Sequence, residues 1–183
     1  MAEVDEPVEV VGARAEWPTL FAAEAEAIRR ALGTPAVEHI GSTAVPGLAA
    51  KPVIDIQVGV AGPPDAGVVG GPLAELGYEG LGEAGVPGRL YFRRRGAVAY
   101  NVHVVELGSG HWAANIAVRN YLRAHPSEAA EYAAQKRRAV AAGATTLLAY
   151  SDHKARFVGE LVRRALAWAK DVEPGAAADG GGV

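Results

Sequence analysis

The segment that most constrains this chain is 38–58, EHIGSTAVPGLAAKPVIDIQV, where a glycine-serine loop leads into a run of β-branched residues with a carboxylate at its centre. Valine and isoleucine dominate 52–60, and Gly62-Pro63-Pro64 stops the run, which predicts a strand. Side chains alternate along a strand, so Asp55 and Gln57 share one face while Ile54, Ile56 and Val58 share the other. An aspartate turned toward a sheet interior is costly unless it is paired or holds a metal. The preceding Gly41-Ser42-Thr43 allows close backbone approach and offers hydroxyls to an anion, with Lys51 as a mobile cation nearby. The Gly-Lys-Ser/Thr ending of a Walker A loop is absent. The segment therefore reads as a tight turn with a paired structural carboxylate, or as a site joining phosphate and metal.

The flanking sequence supplies the rest of a sheet. Trp17, Leu20, Phe21, Ile28 and Leu32 recur at helical spacing before Gly33, with Pro18 in the first turn. A short strand at 36–40 delivers His39 to the loop, and Leu73 and Leu76 suggest a short helix ending at Gly77. Strands at 89–94 and 97–106 are joined by a turn at Arg95-Gly96. Asn101 and His103 share one face of the later strand, opposite Tyr100, Val102 and Val104, and Arg93 and Arg95 point away from Arg94. After Ser109 three helical stripes follow: Trp112-Ile116-Asn120, then Ala129-Tyr132-Lys136-Val140 behind Pro126, then Lys154 to Trp168. This order predicts an α+β (mixed α/β) domain, with a small sheet of four strands covered by helices and a helical C-terminal part. One domain is expected over 1–172, and the alanine- and glycine-rich 173–183 is expected to be a disordered tail.

Half of the 183 residues are hydrophobic, enough for one well-buried core. A net charge of −3 gives no drive toward nucleic acid or anionic membrane, so neither is an expected partner. Without cysteine there is no disulfide scaffold, thiolate zinc site or cysteine nucleophile. The acidic start, MAEVDEPVEV, is unlike a signal peptide, and a cytoplasmic location is expected. His111, His125 and His153 are expected at the surface or at helix caps.

The run from His39 to Asp55, HIGSTAVPGLAAKPVID, closely resembles the signature of the GrpB family, also called UPF0157, of the nucleotidyltransferase superfamily. The resemblance continues through Asn101-Val-His103-Val-Val-Glu106, Arg119-Asn-Tyr121-Leu-Arg-Ala-His-Pro126, Glu131-Tyr132 with Lys136, and Tyr150 with Lys154, covering about 10–168. It implies a nucleotidyltransferase-like fold with a pocket at the glycine-serine loop. It also implies an enzyme acting on a nucleotide or another phosphorylated or polar small molecule. His39, Gly41, Ser42, Thr43, Lys51, Asn101, Arg119, Tyr121, Lys136, Tyr150 and Lys154 become its candidate substrate-binding residues. Active members of the superfamily carry two acids separated by one residue, and a third on a later strand. Here the first position is Asp55, the second is Gln57, and His103 occupies the place of the third.

One aspartate with a glutamine and a histidine is a weak metal cage. Asp55 would hold a single magnesium ion with help from a nucleotide's phosphates. Alternatively, Asp55 and His103 exchange protons without metal, with Gln57 orienting the substrate of a cyclase, isomerase or lyase. A third reading is a non-catalytic ligand-binding or accessory module, since members of the family also occur fused to a dephospho-CoA kinase. Oligomeric state carries no signal in the sequence.

Overall fold

The computed structural model describes residues 6–34 and 36–172, so the expectation for 173–183 lies outside the described residues. The described elements are, in order, α1 (Trp17–Leu32), β1 (Val37–Ile40), β2 (Val53–Val60), α2 (Ala66–Glu75), β3 (Glu79–Gly80), β4 (Arg89–Arg94), β5 (Ala99–Glu106), α3 (Gly110–Ala124), α4 (Pro126–Ala141) and α5 (Leu147–Val172). The expected α+β class holds, but the sheet has five strands rather than four, in the order β1-β2-β5-β4-β3. The added strand, β3, is two residues long and pairs with β4, too short to leave a periodic signal. β2 and β5 run parallel, and the other neighbouring pairs run antiparallel.

Period-two alternation decides what each face of β2 meets. Ile54, Ile56 and Val58 are buried against Ile28 of α1, Val69 and Leu73 of α2, and Val102 and Val104 of β5. Each such aliphatic side chain contributes about 1.5–3 kcal/mol on burial. A one-residue slip would drive Asp55 into this apolar layer, so the register is firmly specified. α1 starts with Pro18 in its first turn and ends at Gly33, whose φ of +63° lets its N–H bond Arg29 O. The short helix expected from Leu73 and Leu76 is α2, which starts as early as Ala66 and runs to Glu75. The Asp65 carboxylate caps it by accepting from the Gly67 N–H at 2.7 Å, although Gly67, Gly70, Gly71 and Pro72 dilute its helical signature.

On the opposite face, α3 lies over β1 and β2. A second core joins Val45 and Leu48 of the loop region to Ala117, Tyr121 and Leu122 of α3, Ala133 of α4, and Leu161 and Ala165 of α5. A smaller cluster of Ala139, Ala144 and Tyr150 packs on Val8 and Val10. The segment 6–11 thereby forms a strap. Val8 N–H bonds Thr145 O, Leu147 N–H bonds Glu6 O, and Val11 and Ala50 exchange backbone hydrogen bonds. No helix among the described residues is long and apolar enough to cross a membrane.

Candidate functional site

The glycine-serine loop leaves β1 beside Asp55, since Ile40 pairs with Asp55 across the β1–β2 ladder. Gly41 takes a φ of +69°, and a Cβ there would stand 2.7 Å from Asp55 Oδ2. Backbone conformation and space both demand glycine. Ser42–Ala44 then makes a single 3₁₀ turn. Two arginines of α3 brace this loop: Arg123 donates from Nε (2.9 Å) and Nη2 (2.7 Å) to Ala44 O, and Arg119 donates to His39 O (3.0 Å) and Glu38 Oε2 (2.6 Å). His39 is buried, stacks on Phe21 at 4.6 Å and hydrogen-bonds Thr43 Oγ1 at 2.9 Å. Burial pulls its pKa down to about 4, against the pull of Asp55.

Behind the loop, the parallel β2–β5 pairing sets Asp55 beside Asn101 and Gln57 beside His103. Asn101 Nδ2 donates to Asp55 Oδ1 at 2.7 Å, and His103 Nε2 lies 3.5 Å from the same oxygen. The amide is oriented in turn, because Tyr91 Oη (2.8 Å) and Arg95 Nη2 (3.0 Å) both donate to Asn101 Oδ1. Arg89 Nη1 is 3.4 Å from His103 Nδ1. A guanidinium only donates, so Nδ1 accepts and the ring proton sits on Nε2, facing Asp55. Burial works against the Asp55 carboxylate, but His103, Lys51 and Asn101 outweigh it and hold its pKa at about 2.

The helices complete the site. Tyr132 and Lys136 from α4, and Tyr150 and Lys154 from α5, close a cavity of about 140 Å³ over Gly41, Ser42, Thr43, Lys51 and Asp55. Lys136 is only 2% exposed, and its Nζ lies 2.5 Å from Ser42 Oγ, 2.7 Å from Ala49 O and 4.2 Å from the centre of the Tyr132 ring. Burial pulls its pKa down to about 6; the Lys154 and Lys51 charges add to this and Asp55 opposes it. Lys154 Nζ lies 4.2 Å over the Tyr150 ring, and burial with the nearby Lys51 draws it to about 8. Tyr132 is pushed up to about 12, mainly by burial, and its contact with Ser42 partly offsets the rise. Three lysines thus face one carboxylate.

Of the residues expected from sequence, Gly41, Ser42, Thr43, Lys51, Asp55, Lys136, Tyr150 and Lys154 line this one cavity. Asn101 and His103 stand behind Asp55. Four others have different surroundings. Gln57 shares the strand face of Asp55, but α3 covers it completely: its Nε2 donates to Trp112 O (3.2 Å) and its Oε1 accepts from Asn115 (2.6 Å). Tyr121 packs in the helical core against His125 and Trp168. Arg119 and His39 hold the loop rather than line the cavity.

Besides the apolar Ala50 and Val53, Tyr132 lines the cavity without standing among the residues expected from sequence. Its signal was its place one helical turn before Lys136. Tyr91, Arg95 and Arg89 also escaped selection, because their contacts depend on strand pairing. His125 does sit at the α3–α4 junction, His111 Nε2 bonds Pro87 O at 2.9 Å, and His153 is exposed. Among the described residues no group of three or more His, Cys, Asp or Glu side chains could hold a metal ion.

Comparison with known proteins places this arrangement in a family. The profile of the family described as "GrpB protein" matches residues 7–164. A UPF0157 protein of Pseudomonas aeruginosa is 38% identical over 170 residues, covering 89% of this chain and 69% of that protein. The UPF0157 protein YqkA of Bacillus subtilis is 32% identical over 166 residues, covering 89% of this chain but 48% of that protein, so the match spans about half of its length. The crystal structure of the conserved protein GrpB from Enterococcus faecalis superposes with a TM-score of 0.80 at 32% identity, covering 88% of this chain and 99% of that one.

Proposed function

This chain belongs to the GrpB family, and on that premise we propose that its lysine-lined cavity binds the phosphate group of a nucleotide-like or otherwise phosphorylated small molecule, on which the protein acts as an enzyme of nucleotidyltransferase type. The observation that carries this reading is the convergence of Lys51, Lys136 and Lys154 on a cavity with one carboxylate. Lys51 and Lys154 alone outnumber the Asp55 charge, and such a surplus of buried cations is costly when empty and favours an anion. At about 140 Å³ the cavity suits a phosphate or diphosphate, with the rest of the ligand outside.

The donor set does not fit a resident magnesium ion. Asp55 is the single carboxylate in the lining, and its Oδ1 already accepts from Asn101 and faces His103. In this reading any magnesium arrives on the phosphates of the ligand. A second reading, metal-independent proton transfer by Asp55 and His103, is favoured by the ring proton that Arg89 directs toward Asp55.

Isothermal titration with pyrophosphate and with ATP, CTP, GTP and UTP, each with magnesium or EDTA, tests both. The first reading expects binding that magnesium tightens for the nucleotides, whereas the second expects no dependence on it. Lys154→Ala should weaken pyrophosphate binding about tenfold or more. An anion favours a charged lysine, so binding draws a proton onto Lys154, and affinity falls as pH rises past about 8. Absence of binding by every one of these anions would sink the proposal.

A further inference from the structure

We propose that Ser42 and Lys136 form a nucleophile–base pair, and that the cavity carries out acyl transfer from a small carboxylic ester bearing an anionic group. The idea rests on the anion-binding reading for substrate placement, but its chemistry comes from a different observation. The Ser42 hydroxyl is 2.5 Å from a lysine nitrogen that is 2% exposed.

A lysine buried this deeply normally has a carboxylate partner. Among the described residues no carboxylate lies within ion-pair reach of Lys136 Nζ. Its hydrogen-bond contacts are Ser42 Oγ and the Ala49 carbonyl. The groups facing it from the surrounding elements are Lys51 and Asp55 at β2, Tyr132 on its own helix, and Tyr150 and Lys154 on α5. Two of these are cations, two are neutral phenols and one is the Asp55 carboxylate; burial and the two cations outweigh that carboxylate, so the surroundings disfavour an ammonium. An uncharged Lys136 donates one N–H to Ala49 O and turns its lone pair to the Ser42 hydroxyl, the relation that activates a serine nucleophile. The neighbouring hydroxyl has a weaker partner: Thr43 Oγ1 pairs with His39, whose ring is stacked on Phe21 outside the cavity lining and whose pKa burial pulls down to about 4. Ser42 follows a glycine whose left-handed backbone opens the turn, and it lines the cavity with Lys51 and Lys154, which would hold the anionic group.

In the acylation step Ser42 Oγ bonds to the carbonyl carbon and its proton passes to Lys136 Nζ. The ester C–O bond breaks, and the departing alkoxide takes that proton to leave as the alcohol. Water then attacks the acyl-Ser42 carbonyl and gives a proton to Lys136. Lys136 returns it to Ser42 Oγ as the carboxylic acid departs.

Diisopropyl fluorophosphate tests the pair without knowledge of the substrate, since Oγ attack at phosphorus expels fluoride as the Oγ proton passes to Lys136. The full chain should gain one adduct, which peptide mapping places on Ser42. Its formation rate should rise as pH passes about 6, and pyrophosphate should slow it. Ser42→Ala should lose the adduct, and Lys136→Met should form it about a hundredfold more slowly. No adduct on Ser42 near pH 8 in the protein without pyrophosphate, when a separate titration shows that the protein binds pyrophosphate, overturns the pair and leaves the anion reading standing. If none of pyrophosphate, ATP, CTP, GTP and UTP binds either, both fall. Equal rates in wild type and Lys136→Met remove the lysine from the mechanism. Should circular dichroism show that Lys136→Met is unfolded, a wild-type rate that stays flat from about pH 5 to 8 overturns the proposal by itself.

Discussion

At the scale of single residues, the site is organised by a close approach that only glycine permits. Gly41 and Gly47 lie in the same loop with φ of +69° and +76°, so a side chain strains the backbone at both. They differ in surroundings: a Cβ at 41 meets Asp55 Oδ2 at 2.7 Å, whereas nothing lies within 4 Å of one at 47. Gly47→Ala should therefore cost about 1 kcal/mol, from backbone strain alone. Gly41→Ala should cost roughly 2–4 kcal/mol, because Asp55 must also move away from Asn101. Urea denaturation of both variants, repeated with Asp55→Ala in the background, checks the cause. The penalty at 41 should drop toward the penalty at 47 once the carboxylate is gone, and an unchanged penalty would refute the contact. Sequence pattern made Asp55, Gly41 and Ser42 legible because loop chemistry and strand alternation are local. The fate of Gln57 was hidden. Alternation gave its face correctly, but the cover provided by Trp112 and Asn115 comes from a helix more than fifty positions away.

Among elements, α3 acts as the clamp of the loop. Arg119 and Arg123 lie one helical turn apart and reach two carbonyls that bracket the turn, His39 O and Ala44 O. The resemblance brought in Arg119 as a ligand contact. The structure gives it a bracing role, paired with Glu38. Arg123→Leu removes both bonds to Ala44 O and should lower stability by about 1–2 kcal/mol. The diagnostic readout is hydrogen exchange, which should quicken at 42–47 while the strands keep their protection. A uniform increase over the whole chain would mean that Arg123 supports the fold in general rather than the loop. Element types were mostly readable: β4 spans the expected residues, and the three C-terminal helices fall on their predicted stripes. β3 and the first turn of α2 were not, because a two-residue pairing has no period and a capping aspartate before a glycine-rich run resembles a loop.

For the molecule as a whole, the cavity exists because the sheet and the α4–α5 pair are held at a fixed separation, and the strap at 6–11 is one of the ties. Glu6 is at the crossing. Its carboxylate accepts from Arg95 Nε (2.9 Å) and Nη2 (2.7 Å), while its carbonyl accepts from Leu147 N–H at the start of α5. Arg95 continues the connection to Asn101, and Asn101 to Asp55. No sequence spacing foretells a contact between positions 6, 95 and 147; only the assembled topology brings them together. Glu6→Gln keeps the backbone bond and weakens the bidentate ion pair, so its cost in stability should be small, about 1 kcal/mol. Its effect on exchange should be selective, with faster exchange at 145–150 and at 50–51 in parallel. Arg95 lowers the pKa of Glu6, chiefly through its hydrogen bond, so the ion pair stabilises the fold fully above the unfolded carboxylate's pKa. That contribution fades as pH falls through the lowered value. Wild type and Glu6→Gln should therefore differ in thermal stability at neutral pH and converge in acid. A difference that persists in acid, or exchange at 145–150 that ignores the substitution, would show that the strap does not couple the two halves of the site through Glu6.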